Sequence, residues 1–351
     1  MNRYIGIDAH DKSCTTVVLD ERGHETQKAV LETNGEVLRQ FVELVPKPRH
    51  VAFEEGNLSQ WLYELLEPVS EEIVVFLPPK RHGEKNDYRD ARDAAEKLRT
   101  HGLERTVFKP TRELAELRCA VRAYHALVRD LTRAKVRLNS VFRSRAVPVG
   151  DEIYKADGRT EALKLLPEAE QKLAGAFAAE LDALQPLQAA RLKDIRAART
   201  PAVARLETAP GIGPIRAATI VAVVGTPSRF RTRSQFWSYC GLGIVRRTSS
   251  DWTPNEKREW VAVKKQCTRG LNRNRNASLK EAYKGAALTL LTRSPEHPLA
   301  VGYRRRVEAG KDPSLARLTL ARQIAAITLA MWKNKEVYDP SHHTTEHKTA
   351  D

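Results

Sequence analysis

The feature that most constrains this 351-residue chain is a heptad run in its first half. Leu114, Leu117, Val121, Tyr124, Val128, Leu131, Lys135, Leu138 and Phe142 alternate steps of three and four. Such steps line up on one stripe of a helix. Residues 112–145 are therefore predicted as one continuous helix, ~50 Å long at 1.5 Å per residue, whose apolar seam must be covered by another helix. Lys135 is the one polar interruption, and nine Lys/Arg against three acids make the rest of the surface positive. A second helical stretch, about 160–200, is the candidate partner, either as an antiparallel return or as a dimer arm. A rod of this length divides the chain. The expected parts are a domain over 1–108, a helical coiled-coil dimerisation arm over 109–200, a mainly α C-terminal domain over 201–338 and a disordered tail over 339–351.

Before the rod, apolar residues recur with period two and then with helical period. Tyr4–Asp8, Cys14–Asp20 and His24–Leu31 read as an antiparallel meander. Asn34 caps a helix running to Val45, with Val37, Leu38, Phe41, Leu44 and Val45 on one face. A strand at 50–54, a helix at 58–66, a strand at 72–77 stopped by Pro78-Pro79 and a helix near 87–99 follow. Three strands and then alternating helices and strands fit an α/β domain with a mixed sheet. Its acids fall in a telling order. Asp8 ends the first strand, Glu54 ends a later one, and Asp87 and Asp90 share a helix face three residues apart. Two-metal phosphodiester chemistry needs such a cluster, because hard Mg²⁺ prefers carboxylate oxygens. Four clustered acids repel one another without metal. The order resembles the RNase H-like fold in its RuvC-type branch.

The net charge of +15 and pI of about 9.7 point to a polyanion as partner. From Arg246 to Lys284 there are eleven Lys/Arg against four acids, with Trp252, Trp260 and Tyr283 interleaved. Cations bind a phosphate backbone and aromatic faces stack bases. Just upstream, Pro210-Gly211-Ile212-Gly213-Pro214 leads into the apolar stretch 215–224. That is a helix-hairpin-helix-like segment whose glycine turn lets backbone N–H groups approach a phosphate. A last apolar helix is expected near 314–335. Cys14, Cys119, Cys240 and Cys267 form no CxxC pair, so neither a zinc site nor a disulfide framework is indicated. No apolar run reaches a membrane span and none opens the chain as a leader, so a cytoplasmic protein without a membrane partner is expected.

Several blocks carry a family resemblance. Gly6-Ile7-Asp8-Ala9-His10, Phe53-Glu54-Glu55-Gly56 and Lys85-Asn86-Asp87-Tyr88-Arg89-Asp90-Ala91 resemble the three blocks of the DEDD transposases of the insertion-sequence family numbered one hundred and ten. In the second half, Pro210 to Pro214, Phe230 to Gly241-Leu242, Thr248-Ser249-Ser250 and Arg269-Gly270-Leu271-Asn272 resemble that family's C-terminal transposase domain. The resemblance implies a RuvC-like domain, a coiled-coil dimerisation arm and a C-terminal domain with a nucleophilic serine. It implies Mg²⁺, with Mn²⁺ as the alternative, held by Asp8, Glu54, Asp87 and Asp90, and a covalent 5′-phosphoserine link to DNA. It also implies a structured bridge RNA that pairs with target and donor DNA, and a homo-oligomer, a dimer or in the synaptic complex a tetramer, with acids from one subunit and serine from another.

Two positions keep alternatives. Glu54 and Glu55 face opposite sides of a strand, and Glu54 holds the place of the family's acid. Family members commonly carry Ser-Gly-Gly after Gly-Leu-x-Pro, whereas this chain has Gly241-Leu242-Gly243-Ile244 and then Ser249-Ser250-Asp251-Trp252. Ser249 stands ahead of Ser250, with Thr248 third. No histidine lies near Ser249 in sequence, so its activation falls to the metal site or to Arg246, Arg247 or Lys257. Arg269, Asn272, Arg273 and Asn276 are read as phosphate or RNA contacts. The competing readings are a Holliday-junction-type nuclease using metal and water, and a non-catalytic nucleic-acid-binding protein.

Overall fold

Strict alternation along the first strand organises the N-terminal half. The structure is a computed structural model that describes residues 1–77, 86–248, 252–254, 256–262 and 266–340. It separates into two compact units, Met1–Arg112 and Glu113–Asp351. In the first, β1 (Arg3–Ala9), β2 (Ser13–Leu19) and β3 (Glu25–Glu32) form the expected meander, followed by α1 (Gly35–Leu44), β4 (Arg49–Glu54), α2 (Ser59–Leu66), β5 (Glu72–Phe76), α3 (Asp87–Arg99) and the short β6 (Thr106–Val107). The sheet order is β3-β2-β1-β4-β5-β6. β1 pairs antiparallel with β2 and parallel with β4, and β4 pairs parallel with β5. This is the mixed α/β sheet the sequence predicts.

The pleat sends successive side chains to opposite faces. Ile5, Ile7, Val51, Phe53 and Val75 pack against Leu38 and Val42 of α1 and Leu62 and Leu66 of α2. Tyr4, Val17, Leu19, Ala52 and Phe76 face the other way, onto Ala91, Ala94, Ala95 and Leu98 of α3. The α3 face is lined with small residues, so this helix sits close to the sheet.

The second unit begins with α4 (Arg112–Ser144), a single helix as the heptad run requires. It is followed by α5 (Ala156–Lys164), α6 (Glu168–Ala197), α7 (Pro201–Leu206), α8 (Pro214–Val224) and α9 (Arg233–Tyr239). Two small ribbons come next, formed by β7 (Ile244–Thr248) with β10 (Gln266–Leu271) and by β8 (Trp252–Pro254) with β9 (Trp260–Ala262). α10 (Ala277–Arg293), α11 (Pro298–Glu308) and α12 (Pro313–Asn334) complete the described chain.

The heptad seam finds its partner within the chain. Leu131, Leu138 and Phe142 are buried with Ala174 and Leu181 of α6, while Leu117 and Val121 share a core with Ile195 at the far end of α6 and with α8, α10 and α12. α4 and α6 are thus an antiparallel hairpin, and the pattern by itself does not ask for a second copy. Lys135 lies 4.8 Å from the centre of the Tyr154 ring, a cation–π contact that lets a lysine occupy the seam. The ribbons are not evident from sequence. Their strands are only three to six residues long, too short for a period-two signal to stand out.

Candidate functional site

The register of β1 on β4 decides which acids meet. Ile7 pairs with Phe53 across two parallel strands, so Asp8 and Glu54 follow level with each other at neighbouring strand ends. Side chains alternate, so both lie on the face that receives α3. Gly6, two residues before Asp8, lies on that same face directly under α3. A Cβ there would overlap the Ala91 carbonyl oxygen and stand 2.7 Å from the Ala95 nitrogen. Only glycine admits the α3 backbone at this distance. The first turn of α3, capped by the Asn86 side chain accepting from the Arg89 N–H at 3.1 Å, carries Asp87 and Asp90.

His10 closes the group. Its Nε2 lies 3.2 Å from Asp8 Oδ2 and 3.4 Å from Asp87 Oδ1. Its backbone is pinned, for its N–H donates to Ser13 O and its carbonyl accepts from the Thr33 hydroxyl at 2.6 Å. Asp8 is only 8% exposed, and its Oδ2 takes no hydrogen bond. Asp8, His10 and Asp87 each offer a donor atom, all within 4.8 Å of one another. A cavity of about 610 Å³ opens beside them and is lined by Asp8, His10, Glu54 and Glu55. Of the four predicted acids, the structure brings Asp8 and Asp87 to a common imidazole and gives Asp8 and Glu54 one cavity. Asp90 is buried a turn further along α3 and is not in the three-residue group.

Glu55 has other work. Lys109, with a side chain only 6% exposed, places Nζ 2.6 Å from Glu55 Oε2 and donates to Ser59 Oγ at 2.7 Å. The Ser59 hydroxyl in turn donates to Gly56 O at 2.7 Å. This clamp ties down the turn between β4 and α2 and neutralises the glutamate next to Glu54. Sequence reasoning missed Gly6, His10 and Lys109. His10 left a trace, a histidine two residues past a strand-end aspartate. Lys109 left none, because it reaches Ser59 across fifty residues of chain.

Two carboxylates, one of them buried, share one corner and a single imidazole. Such an arrangement is costly for the protein alone and is relieved by a cation. Oxygen donors suit a hard divalent ion, and the imidazole adds a ligand that also suits Mn²⁺ and later metals. A divalent metal therefore fits the residues present.

Residues 5–145 match the family model for the DEDD transposase of the IS110 group, and residues 203–296 match the one described as Transposase IS116/IS110/IS902 family. The chain belongs to the IS110 family of transposases. No curated protein matches it. Membership brings DNA strand cleavage and transfer in general, DNA binding and the use of a divalent metal. Among the described residues, no helix is long and apolar enough to cross a membrane.

In the C-terminal half of this transposase, Ser249 and Ser250 lie outside the described residues, as does the tail beyond Pro340. Thr248 ends β7. Arg246 and Arg247 lie on β7 and Arg269 on β10, with side chains outside the described set. Lys257 and Arg273 are exposed. Asn272 is half-buried, its amide donating to Ser238 O and Oγ at 3.2 Å, and Asn276 caps α10 by accepting from Leu279 N–H. Tyr283 corrects the sequence reading. It is fully buried, its hydroxyl 2.9 Å from that of Thr328, and burial pushes its phenol far up. It is a core residue and stacks no base. In the glycine turn, Gly211 has φ +70° and a Cβ there would overlap Ala286 O of α10, while Gly213 has open space around it. The turn's closest neighbour is therefore another helix.

Proposed function

We propose that this transposase cuts and rejoins DNA through a divalent-metal carboxylate site in its first unit and a serine in its second. The domain division offered is 1–108 for the catalytic domain, 109–200 for the helical arm and 201–338 for the serine domain. The first unit is read as RNase H-like of the RuvC type. Its sheet order, with an antiparallel β3-β2-β1 half joined to a parallel β1-β4-β5 half, supports that reading. The observation that carries the proposal is the buried Asp8 Oδ2 sharing one imidazole with Asp87, level with Glu54.

Asp8, Glu54, Asp87 and Asp90 would hold Mg²⁺ or Mn²⁺, with His10 beside them. Bound there, the ion supplies charge stabilisation at the reacting phosphate. Asp8 and Asp87 sit on a strand end and a helix start, which fixes their geometry before DNA arrives. His10 holds the two carboxylates at a common point. Ser249, with Ser250 as the alternative, would attack the phosphorus. Its hydroxyl loses a proton, a Ser–O–P ester forms, and the 3′ oxygen leaves and takes up a proton. Arg246, Arg247 and Lys257 would offset the charge that builds on the phosphate, and Arg269, Asn272 and Arg273 would hold backbone or RNA. Guidance by a bridge RNA and action as a dimer or tetramer rest on the family resemblance alone.

The test is a covalent-adduct assay. The protein, its co-expressed RNA and labelled DNA carrying the element's ends are incubated with Mg²⁺, denatured and run on a gel. A DNA-linked band lost in both Ser249→Ala and Asp8→Asn is the expected result. Cleavage without an adduct would replace the serine by water. Neither product would overturn the catalytic reading.

A further inference from the structure

The C-terminal unit contains a cavity of about 470 Å³ whose charged walls are all of one sign. Lys280 and Lys284 of α10, Lys311 just ahead of α12 and Arg322 of α12 line it, and among the described residues no acid does. Leu315 and Leu318 of α12 and Ile244 of β7 line it as well. Leu315 is 54% exposed and Ile244 45% exposed, so the aliphatic wall is open to solvent. The volume falls within the ~300–1,000 Å³ of ordinary ligand pockets.

The cations are poorly served by the protein itself. Arg322 donates from Nε to Leu242 O at 2.7 Å, but its Nη2 is buried with no hydrogen-bond partner. Among the described residues, none of the four pairs with a carboxylate, and Lys311 reaches only the Thr319 hydroxyl at 3.4 Å. Burial lowers the Arg322 guanidinium. Burial also lowers the Lys280 ammonium, helped by the charges of Arg275 and Lys284. Like charges gathered around an open cavity raise the free energy of the empty protein, and an anion relieves it.

We propose that this cavity binds one unstacked nucleotide of an unpaired DNA strand, its phosphate on Lys280, Lys284, Lys311 and Arg322 and its base against Leu315, Leu318 and Ile244. A paired duplex offers phosphates on its outside but keeps its bases stacked away from such a wall. An unpaired strand presents both groups together. The cavity is bordered by β7 and β10, so a strand held here runs beside the ribbon that leads to the serine block in sequence. The inference rests on the proposed action on DNA and adds where an opened strand is held.

Fluorescence anisotropy of a labelled oligo-dT, an oligo-U and a DNA duplex, each over a salt series, tests it on the full chain. Lys284→Ala/Lys311→Ala removes two cavity charges. Lys164→Ala/Lys172→Ala removes two exposed charges elsewhere. The cavity pair should weaken oligo-dT binding at least tenfold and flatten its log–log salt slope by up to about 0.7, the share of the one phosphate held there. The control pair should change binding less than twofold. Leu315→Glu should weaken oligo-dT more than duplex. Oligo-dT binding by the cavity pair within twofold of the parent would overturn the site, as would an equal loss in the control pair or an equal loss on duplex. A tenfold preference for oligo-U would overturn the assignment to DNA. A parent chain that binds none of the three would overturn both this inference and the proposed function.

Discussion

The two units meet opposite electrostatic problems with the same packing device. In the N-terminal unit, negative charge is gathered at the end of a rigid sheet, where Asp8 and Asp87 share one imidazole. In the C-terminal unit, positive charge lines an open cavity beside a small ribbon. Each unit also lets a helix backbone press on a glycine, α3 on Gly6 and α10 on Gly211. Close packing sets the positions of charged groups that disfavour each other, and the stability lost there is offset by apolar burial elsewhere. The two proposed sites lie where local energetics are unfavourable, which is what a site for a cation or an anion requires.

The largest expected effect separates the two kinds of charge. Asp8→Asn should cut DNA cleavage by at least about a hundredfold, since losing a ligand exceeds the 10–100-fold of an outer partner. In chelator, the same variant should melt at a higher temperature, because one of two carboxylates crowded at one corner loses its charge. Lys284→Ala, at an exposed and solvent-screened cavity charge, should raise the melting temperature far less. Calorimetry showing Asp8→Asn less stable than the parent would break the comparison.

The glycines come next. Gly6→Ala should destabilise by about 1–3 kcal/mol through overpacking against Ala91 and Ala95. Gly211→Ala should cost about 1–2 kcal/mol more, because φ +70° adds backbone strain to the clash with Ala286. Gly213→Ala, with nothing near its Cβ, should stay within about 0.5 kcal/mol. Urea titrations rank the three, and equal effects at Gly211 and Gly213 would remove the packing role assigned to the turn.

A smaller change concerns the imidazole. His10→Ala should lower Mn²⁺ affinity about tenfold, as for a group that orients or joins the ligands, measured by Mn²⁺ electron paramagnetic resonance. Unchanged affinity would leave the site to carboxylates alone.

The smallest effect lies in the basic half. Burial lowers His125 below its ordinary 6.5, with Glu281 opposing and Arg129 assisting. The unfolded chain then takes up a proton that the folded chain refuses. Stability is full above the unfolded value and falls as pH drops through it. His125→Gln, at a residue whose Nε2 lies 3.0 Å from the Thr219 hydroxyl, should flatten the stability profile between about pH 6.5 and 5. An unaltered profile would assign the acid sensitivity to other groups.

Much of the architecture is legible in the amino-acid pattern. The meander, the alternation of helices and strands, the long α4 and the position of Asp8 at a strand end all follow from local periodicity, which a backbone imposes on its own sequence. The ribbons between 244 and 271 are not legible there, because strands of three to six residues hold too few alternations to mark a period. Tyr283 misleads for a different reason. Its place between basic residues suggests a stacking platform, while its helical register buries it against Thr328.

The sequence by itself determined which residues carry charge, where the helices and the strands of the first unit run, and that Asp8, Glu54, Asp87 and Asp90 belong to one half of the chain. Tertiary structure alone decided who meets whom. The β1–β4 register sets Asp8 level with Glu54, Gly6 admits α3, His10 bridges Asp8 and Asp87, and Lys109 claims Glu55. It also covered the heptad seam from within, with α6 as partner. The physical reason is range. Periodicity and charge are properties of neighbours in the chain, whereas a site is made by contacts between segments that only packing brings together.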